Sequence, residues 1–224
     1  NISFTDSIFE SMTGITTTGS TILSDIKSMP EGILLWRGLL QWIGGVGIIV
    51  MAISILPVLQ VGGMQVFRTE SSDTTEKILP RTAQVSFAVI IIYLSLTILC
   101  FISYWLSGMR LFESLVHSMT TIATGGFSTR NDSFANFDNR STEYIAILFM
   151  ILSSLPILIY LEVTRNGIKS FFRDTQIKTF LIIIFVSSLL VISYLWIFDL
   201  KNFEQSLRHG AFNVVSIITG TGYT

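Results

Sequence analysis

Apolar and polar positions fall along this chain in long blocks. Four apolar runs extend from about Gly32 to Val58, Ala83 to Leu106, Tyr144 to Leu161 and Phe180 to Phe198. A helix needs roughly 20 such residues to cross a bilayer, so the pattern predicts four spanning helices. The second run carries no charge, and the first carries Arg37 near its start. Gly44, Gly45 and Gly47 would weaken a water-exposed helix; inside a membrane bundle they permit close backbone packing. Pro156 in the third run frees a carbonyl and predicts a kink. Polar connectors at Arg68–Arg81 and Glu162–Lys178 join the runs in pairs.

A segment of a different kind occurs three times. Phe4–Gly19, Leu111–Gly126 and Leu207–Gly222 align without a gap over 16 residues. The first two copies share seven identities, at Ser7/Ser114, Ser11/Ser118, Met12/Met119, Thr13/Thr120, Ile15/Ile122, Thr17/Thr124 and Gly19/Gly126. The third keeps Ile218 and Gly222, and its Thr219 and Thr221 match Thr16 and Thr18. The closing glycines lie 107 and 96 residues apart, with two apolar runs in each interval. Repetition at matched spacing marks a repeated structural unit.

Each copy predicts a helix too short to cross a bilayer, at about Thr5–Thr16, Phe112–Ile122 and Glu204–Ile218. The Thr/Gly ends that follow are poor helix formers, so residues 16–20, 123–127 and 219–223 are expected to be non-helical. Such backbone is tolerated at membrane depth only where it lines a cavity or is buried in protein. A ring of such strands can replace an ion's hydration shell with carbonyl oxygens. Helix ends that aim carbonyls inward also favour a cation. Glycine lets a carbonyl turn where a side chain would forbid it. The strands hold no carboxylate, which points to a monovalent ion, since divalent ions draw Asp or Glu oxygens. The candidate ion filter is therefore Thr16, Thr17, Thr18 and Gly19; Ala123, Thr124, Gly125 and Gly126; and Thr219, Gly220, Thr221 and Gly222. The expected ligands are the backbone carbonyls of Thr17, Thr18, Thr124, Gly125, Gly220 and Thr221. Gly220 is expected to loosen its strand slightly. The alternative is three glycine-rich turns outside the membrane.

Composition fits a membrane protein. Half of the 224 residues are hydrophobic and 13% are charged, against about 25% in soluble domains. Mean hydropathy is +0.65. Fourteen basic residues against 15 acidic ones leave no basic field for nucleic acid. A single cysteine, Cys100, excludes a disulfide scaffold within the chain. No nucleophile triad or phosphate loop emerges, so the chain is read as no enzyme and without a cofactor. His117 and His209 lack a metal-ligand spacing and are read as packing or hydrogen-bonding groups. Two aligned columns are polar in every copy: Asp6, Glu113 and His209, and Glu10, His117 and Asn213. They either attract cations to an outer mouth or cap and solvate the helices. Asp25, Glu31, Asp132 and Asp138 are read as solvated loop acids. The connectors hold seven basic residues and the opposite side also holds seven, so charge bias leaves the orientation open.

The stretches Ser11–Ser20, Trp42–Ile48, Gly62–Glu70, Leu79–Arg81 and above all Ser118–Thr129 resemble the potassium-translocating membrane subunit of the bacterial Trk/Ktr/HKT superfamily, with the Trk branch the nearest. The resemblance covers essentially the whole chain. It implies an all-α integral membrane fold of helix–pore helix–helix units around a pseudo-fourfold pore, in the inner membrane, with potassium as substrate. The filter glycines would be Gly19, Gly126 and Gly222, and glycine rather than serine at the first goes with potassium selectivity. The filters would face outward and the connectors the cytoplasm. A homodimer and a cytosolic nucleotide-binding regulatory subunit are the implied partners. Residues 1–67 would form the first repeat, 68–82 a cytoplasmic connector, 83–170 the second repeat and 171–224 part of the third. The first leading span, the third trailing span and the fourth repeat have no counterpart in the sequence, so the chain is expected to need the missing portion of the same polypeptide. A non-conducting remnant or assembly subunit, and a sodium-preferring or poorly selective channel, are the other readings.

Overall fold

The computed structural model describes residues 3–59, 78–137, 139–198 and 202–224. The described residues form helices α1 (Phe4–Ile15), α2 (Glu31–Leu59), α3 (Ile78–Leu106), α4 (Leu111–Ile122), α5 (Arg140–Ser154), α6 (Ile157–Asn166), α7 (Lys169–Arg173), α8 (Thr175–Ile197) and α9 (Phe203–Ile218). A 3-10 turn at Ser133–Asn136 precedes α5. Helices α2, α3 and α8 are long and apolar enough to cross a membrane, and α5 with α6 forms a fourth unit bent by 85°. All four apolar runs therefore fold as helix.

Two spans start earlier than their hydropathy implies, α3 at Ile78 and α8 at Thr175. Asp174 explains the second case: its side chain accepts from the Ile177 N–H at 3.1 Å and caps a polar first turn. The Arg68–Arg81 connector up to Lys77, and the Gly62–Glu70 stretch, lie outside the described residues.

The expected kink at Pro156 is a full break. Proline lacks the N–H that would continue the ladder, and its ring clashes with the preceding turn. A side chain takes up the freed carbonyl: the Tyr160 hydroxyl donates to the Leu152 carbonyl at 2.5 Å.

Polarity is reversed relative to a water-soluble bundle. Ile182, Ile183, Phe185, Leu189 and Leu190 of α8 are exposed, whereas Ser114, His117, Ser118, Thr120 and Thr121 of α4 are fully buried. Lipid rather than water is the solvent such a surface suits. Helix α4 sits at the centre against α2, α3 and α5; α1 lies on α2, and α9 lies on α5 and α8. An aromatic core of Tyr104, Phe134, Phe137, Phe212 and Tyr223 fills the space around α4.

Two of the three glycines in α2 allow the expected close approach. A Cβ on Gly44 would run into the Ile15 carbonyl, and one on Gly45 would lie 3.2 Å from Ala123 Cα. Gly47 has no described neighbour within 4 Å, so packing does not explain it.

Candidate functional site

Helices α1, α4 and α9 end in the same way. Residues 16–20, 123–127 and 219–223 leave the helix, as the Thr/Gly composition predicts. In the first copy the Thr17 N–H donates to the Gly14 carbonyl at 3.1 Å and the Thr18 N–H to the Thr13 carbonyl at 3.0 Å. In the second, Thr124 donates to Thr121 at 3.0 Å and Gly125 to Thr120 at 2.9 Å. This pair of bonds is a Schellman ending, which requires a left-handed residue just past the helix. That residue is Thr17 at φ 55° or Thr124 at φ 50° in the first two copies; in the third, Gly220 at φ 74° holds the same place, its N–H on the Ile217 carbonyl at 3.1 Å, with the Gly222 N–H rather than that of Thr221 on the Ser216 carbonyl at 3.2 Å. A β-branched residue there is strained and glycine is not. Gly220 thus adopts without strain the conformation that Thr17 and Thr124 adopt under strain.

The closing glycines are left-handed too: Gly19 at 78°, Gly126 at 73° and Gly222 at 79°. Each copy therefore holds left-handed residues two positions apart.

Successive strands touch. A Cβ on Gly19 would collide with the Gly125 carbonyl oxygen, and one on Gly126 with the Thr221 carbonyl oxygen. Glycine is thus required twice over, by φ and by the neighbouring strand. The Thr16 and Thr18 hydroxyls bond each other at 2.8 Å, and Thr219 and Thr221 repeat the pair at 2.9 Å. The second copy has Ala123 and Gly125 at those places. There Gln41 of α2 intervenes: its Nε2 donates to the Gly125 carbonyl at 2.6 Å, and its Oε1 accepts from the Phe127 N–H at 3.2 Å.

Polar braces hold the strands from behind. Tyr223 is buried, and its hydroxyl lies 2.6 Å from Thr120 Oγ1 and 3.1 Å from Thr121 Oγ1, tying the third strand to α4. The loop after the second strand serves both neighbours. Asn131 Oδ1 accepts from the Ile26 N–H at 2.7 Å, and the Phe134 and Ala135 N–H groups donate to the Thr224 carbonyl at 2.9 and 3.1 Å. His117 is saturated, with Nδ1 2.8 Å from the Glu113 carbonyl and Nε2 3.0 Å from Ser128 Oγ. It has the hydrogen-bonding role expected of it. Among the described residues, no group of three or more His, Cys, Asp or Glu side chains is placed to hold a metal ion.

Two of the three acids of the polar columns, Glu10 and Glu113, are paired with arginines. Glu10 bonds Arg37 at 2.7 Å with both side chains buried, and its oxygens also accept from Thr21 Oγ1 at 2.9 Å and the Ile22 N–H at 3.3 Å. The Arg37 guanidinium stacks 4.0 Å over the Phe127 ring. Glu113 pairs with Arg130 at 2.5 Å. Arg208 pairs with Glu143, and His209 Nδ1 lies 3.7 Å from Glu143 Oε2. Each short helix thus carries a compensated ion pair. Asp6 remains exposed and forms a capping box with Ser3. Asp25, Glu31 and Asp132 are exposed, and Asp138 lies outside the described residues.

Sequence reading missed Gln41, Tyr223 and the Arg37–Glu10 pair. For Gln41 a signal existed: a polar side chain in an otherwise apolar run marks a buried partner.

The TrkH cation transport protein family matches residues 1–224. The Trk system potassium uptake protein TrkI of Halomonas elongata is 42% identical over 226 residues, covering 99% of this chain and 45% of that protein. The TrkH protein of Escherichia coli K12 is 36% identical over 228 residues, covering 100% of this chain and 47% of that protein. The crystal structure of the potassium transporter TrkH from Vibrio parahaemolyticus superposes with a TM-score of 0.89 at 36% identity, covering 100% of this chain and 46% of that one. The chain thus spans about half the length of the relatives it matches. These likenesses and the long apolar helices make it a multi-pass protein of the inner membrane. It belongs to the TrkH family of cation transport proteins, a family of ion carriers rather than enzymes.

Proposed function

We propose that in the complete protein the strands at residues 16–19, 123–126 and 219–222 line a potassium-conducting filter. The single observation behind this reading is the threefold recurrence of left-handed residues two apart, in strands that touch in succession. Strained left-handed threonines persist only where the surroundings hold them, and such strain clusters at functional sites.

In this reading the backbone carbonyls of Thr17, Thr18, Thr124, Gly125, Gly220 and Thr221 replace the ion's water. The Gly125 carbonyl already accepts from Gln41 and offers its second lone pair. Residues 1–67, 83–170 and 171–224 act as successive repeats about a pseudo-fourfold axis, with 68–82 a cytoplasmic connector. The remaining wall comes from further chain. Glycine at position 19 favours potassium over sodium. A homodimer bound to a cytosolic nucleotide-binding regulatory subunit is the assembly.

The test is radioactive rubidium uptake by the full-length protein in liposomes. Potassium is expected to compete strongly and sodium weakly. Equal competition, or no uptake with folded protein and its regulatory subunit present, contradicts the reading.

A further inference from the structure

The three strands are not chemically equal, and the inequality has a visible source. Thr18, Gly125 and Thr221 occupy one aligned position. In the first and third strands this residue carries a hydroxyl bonded to the threonine two places earlier. In the second strand, with Ala123 and Gly125, both hydroxyls are missing, and the Gln41 carboxamide stands where a side chain at Gly125 would lie. A Cβ on Gly125 would lie 2.5 Å from Gln41 Oε1 and 2.8 Å from Nε2, closer than any real contact. Gln41 is completely buried, in a span whose other residues are mostly apolar.

Its two bonds bracket Gly126. The amide donates to the carbonyl just before that glycine and accepts from the N–H just after it. A buried peptide N–H left without a partner is costly, so this arrangement fixes the orientation of both peptides. The amide also lies at the junction of two strands, because a Cβ on Gly19 would sit 3.8 Å from Gln41 Nε2. A helix following the first strand thus sets the geometry of the second.

We infer that Gln41 is a specificity-determining positioning residue, a side chain borrowed from α2 that replaces the missing strand side chain at Gly125 and orients the peptides around Gly126. The inference rests on the reading of these strands as the cation filter. It also explains why the second strand carries glycine where its neighbours carry threonine.

The experiment compares rubidium and sodium uptake by the full-length protein in liposomes, with folded protein quantified for every variant. Gln41→Met keeps the length of the side chain and removes both hydrogen bonds. It is expected to lower the preference for rubidium over sodium by about fivefold to tenfold, the scale of one buried hydrogen bond. Gly125→Thr alone is expected to lose the preference through collision with Gln41. Gln41→Ala combined with Gly125→Thr is expected to recover part of it, because the threonine enters the emptied space. If Gln41→Met fails to fold, Gln41→Leu, which also removes both hydrogen bonds without adding a titratable group, is read in the same way. An unchanged preference in whichever variant folds, with Gly19→Ser altering it, overturns the inference and leaves the filter reading standing. An unchanged preference in the Gly19 variant as well overturns the filter reading itself. Failure of both Gln41 variants to fold assigns Gln41 to stability alone and also overturns the inference.

Discussion

Gly19→Ser places a side chain where both backbone and neighbour forbid one. At φ 78° a residue other than glycine is disfavoured by about 1–2 kcal/mol. The new Cβ also collides with the Gly125 carbonyl oxygen, and overpacking of this sort costs about 1–3 kcal/mol. Together the substitution is expected to destabilise the local structure by about 2–5 kcal/mol. The second strand must yield, because the collision is with backbone rather than with a flexible side chain. Yet the Gly125 carbonyl is held by Gln41. The strain is therefore expected to appear in ion preference as well as in stability. Thermal unfolding of the purified full-length protein reports the first, and the ratio of rubidium to sodium uptake in liposomes reports the second. Gly32→Ala is the control, since a Cβ there meets nothing within 4 Å; it is expected to change stability by less than about 1 kcal/mol. A Gly19→Ser protein that melts with the control and keeps its ion ratio would refute the reasoning.

Gly126→Ala and Gly220→Ala separate conformational strain from collision: both are left-handed, but only the first meets a carbonyl, so its melting temperature is expected to fall further, by about 1–3 kcal/mol in free-energy terms. Arg37→Met leaves Glu10 buried without its partner and is expected to destabilise by about 3–5 kcal/mol, with Glu10→Gln in the same protein recovering most of it in thermal unfolding. Tyr223→Phe removes the hydroxyl shared with Thr120 and Thr121 and is expected to cost about 1–3 kcal/mol by the same measurement, with the third strand loosening first in hydrogen exchange.

The spans and the short helices were legible because long apolar runs and an ungapped repeat are one-dimensional signals. The helix ends were legible for the same reason, since Thr and Gly are poor helix formers wherever they fall. The conformation of those ends was not. Threonine disfavours positive φ, so nothing at Thr17 or Thr124 announces a left-handed residue, and only Gly220 in the third copy hints at it. Side chains that meet across distant segments were also hidden. Gln41 reaches a carbonyl 84 positions along the chain, and Arg208 finds an acid 65 positions away. Pro156 signalled a kink, but its size, 85°, and the burial of Leu155 and Ile159 with Ile177 beside it involve a distant helix, which no local rule supplies.

The most direct test of the central claim is the position of the ion. Crystals of the full-length protein grown in rubidium, measured at the rubidium absorption edge, locate bound cations by anomalous scattering. The account predicts a peak in contact with backbone oxygens from all three strands, beside Gly19, Gly126 and Gly222. Rubidium peaks elsewhere in the protein, with none between these strands, would contradict it.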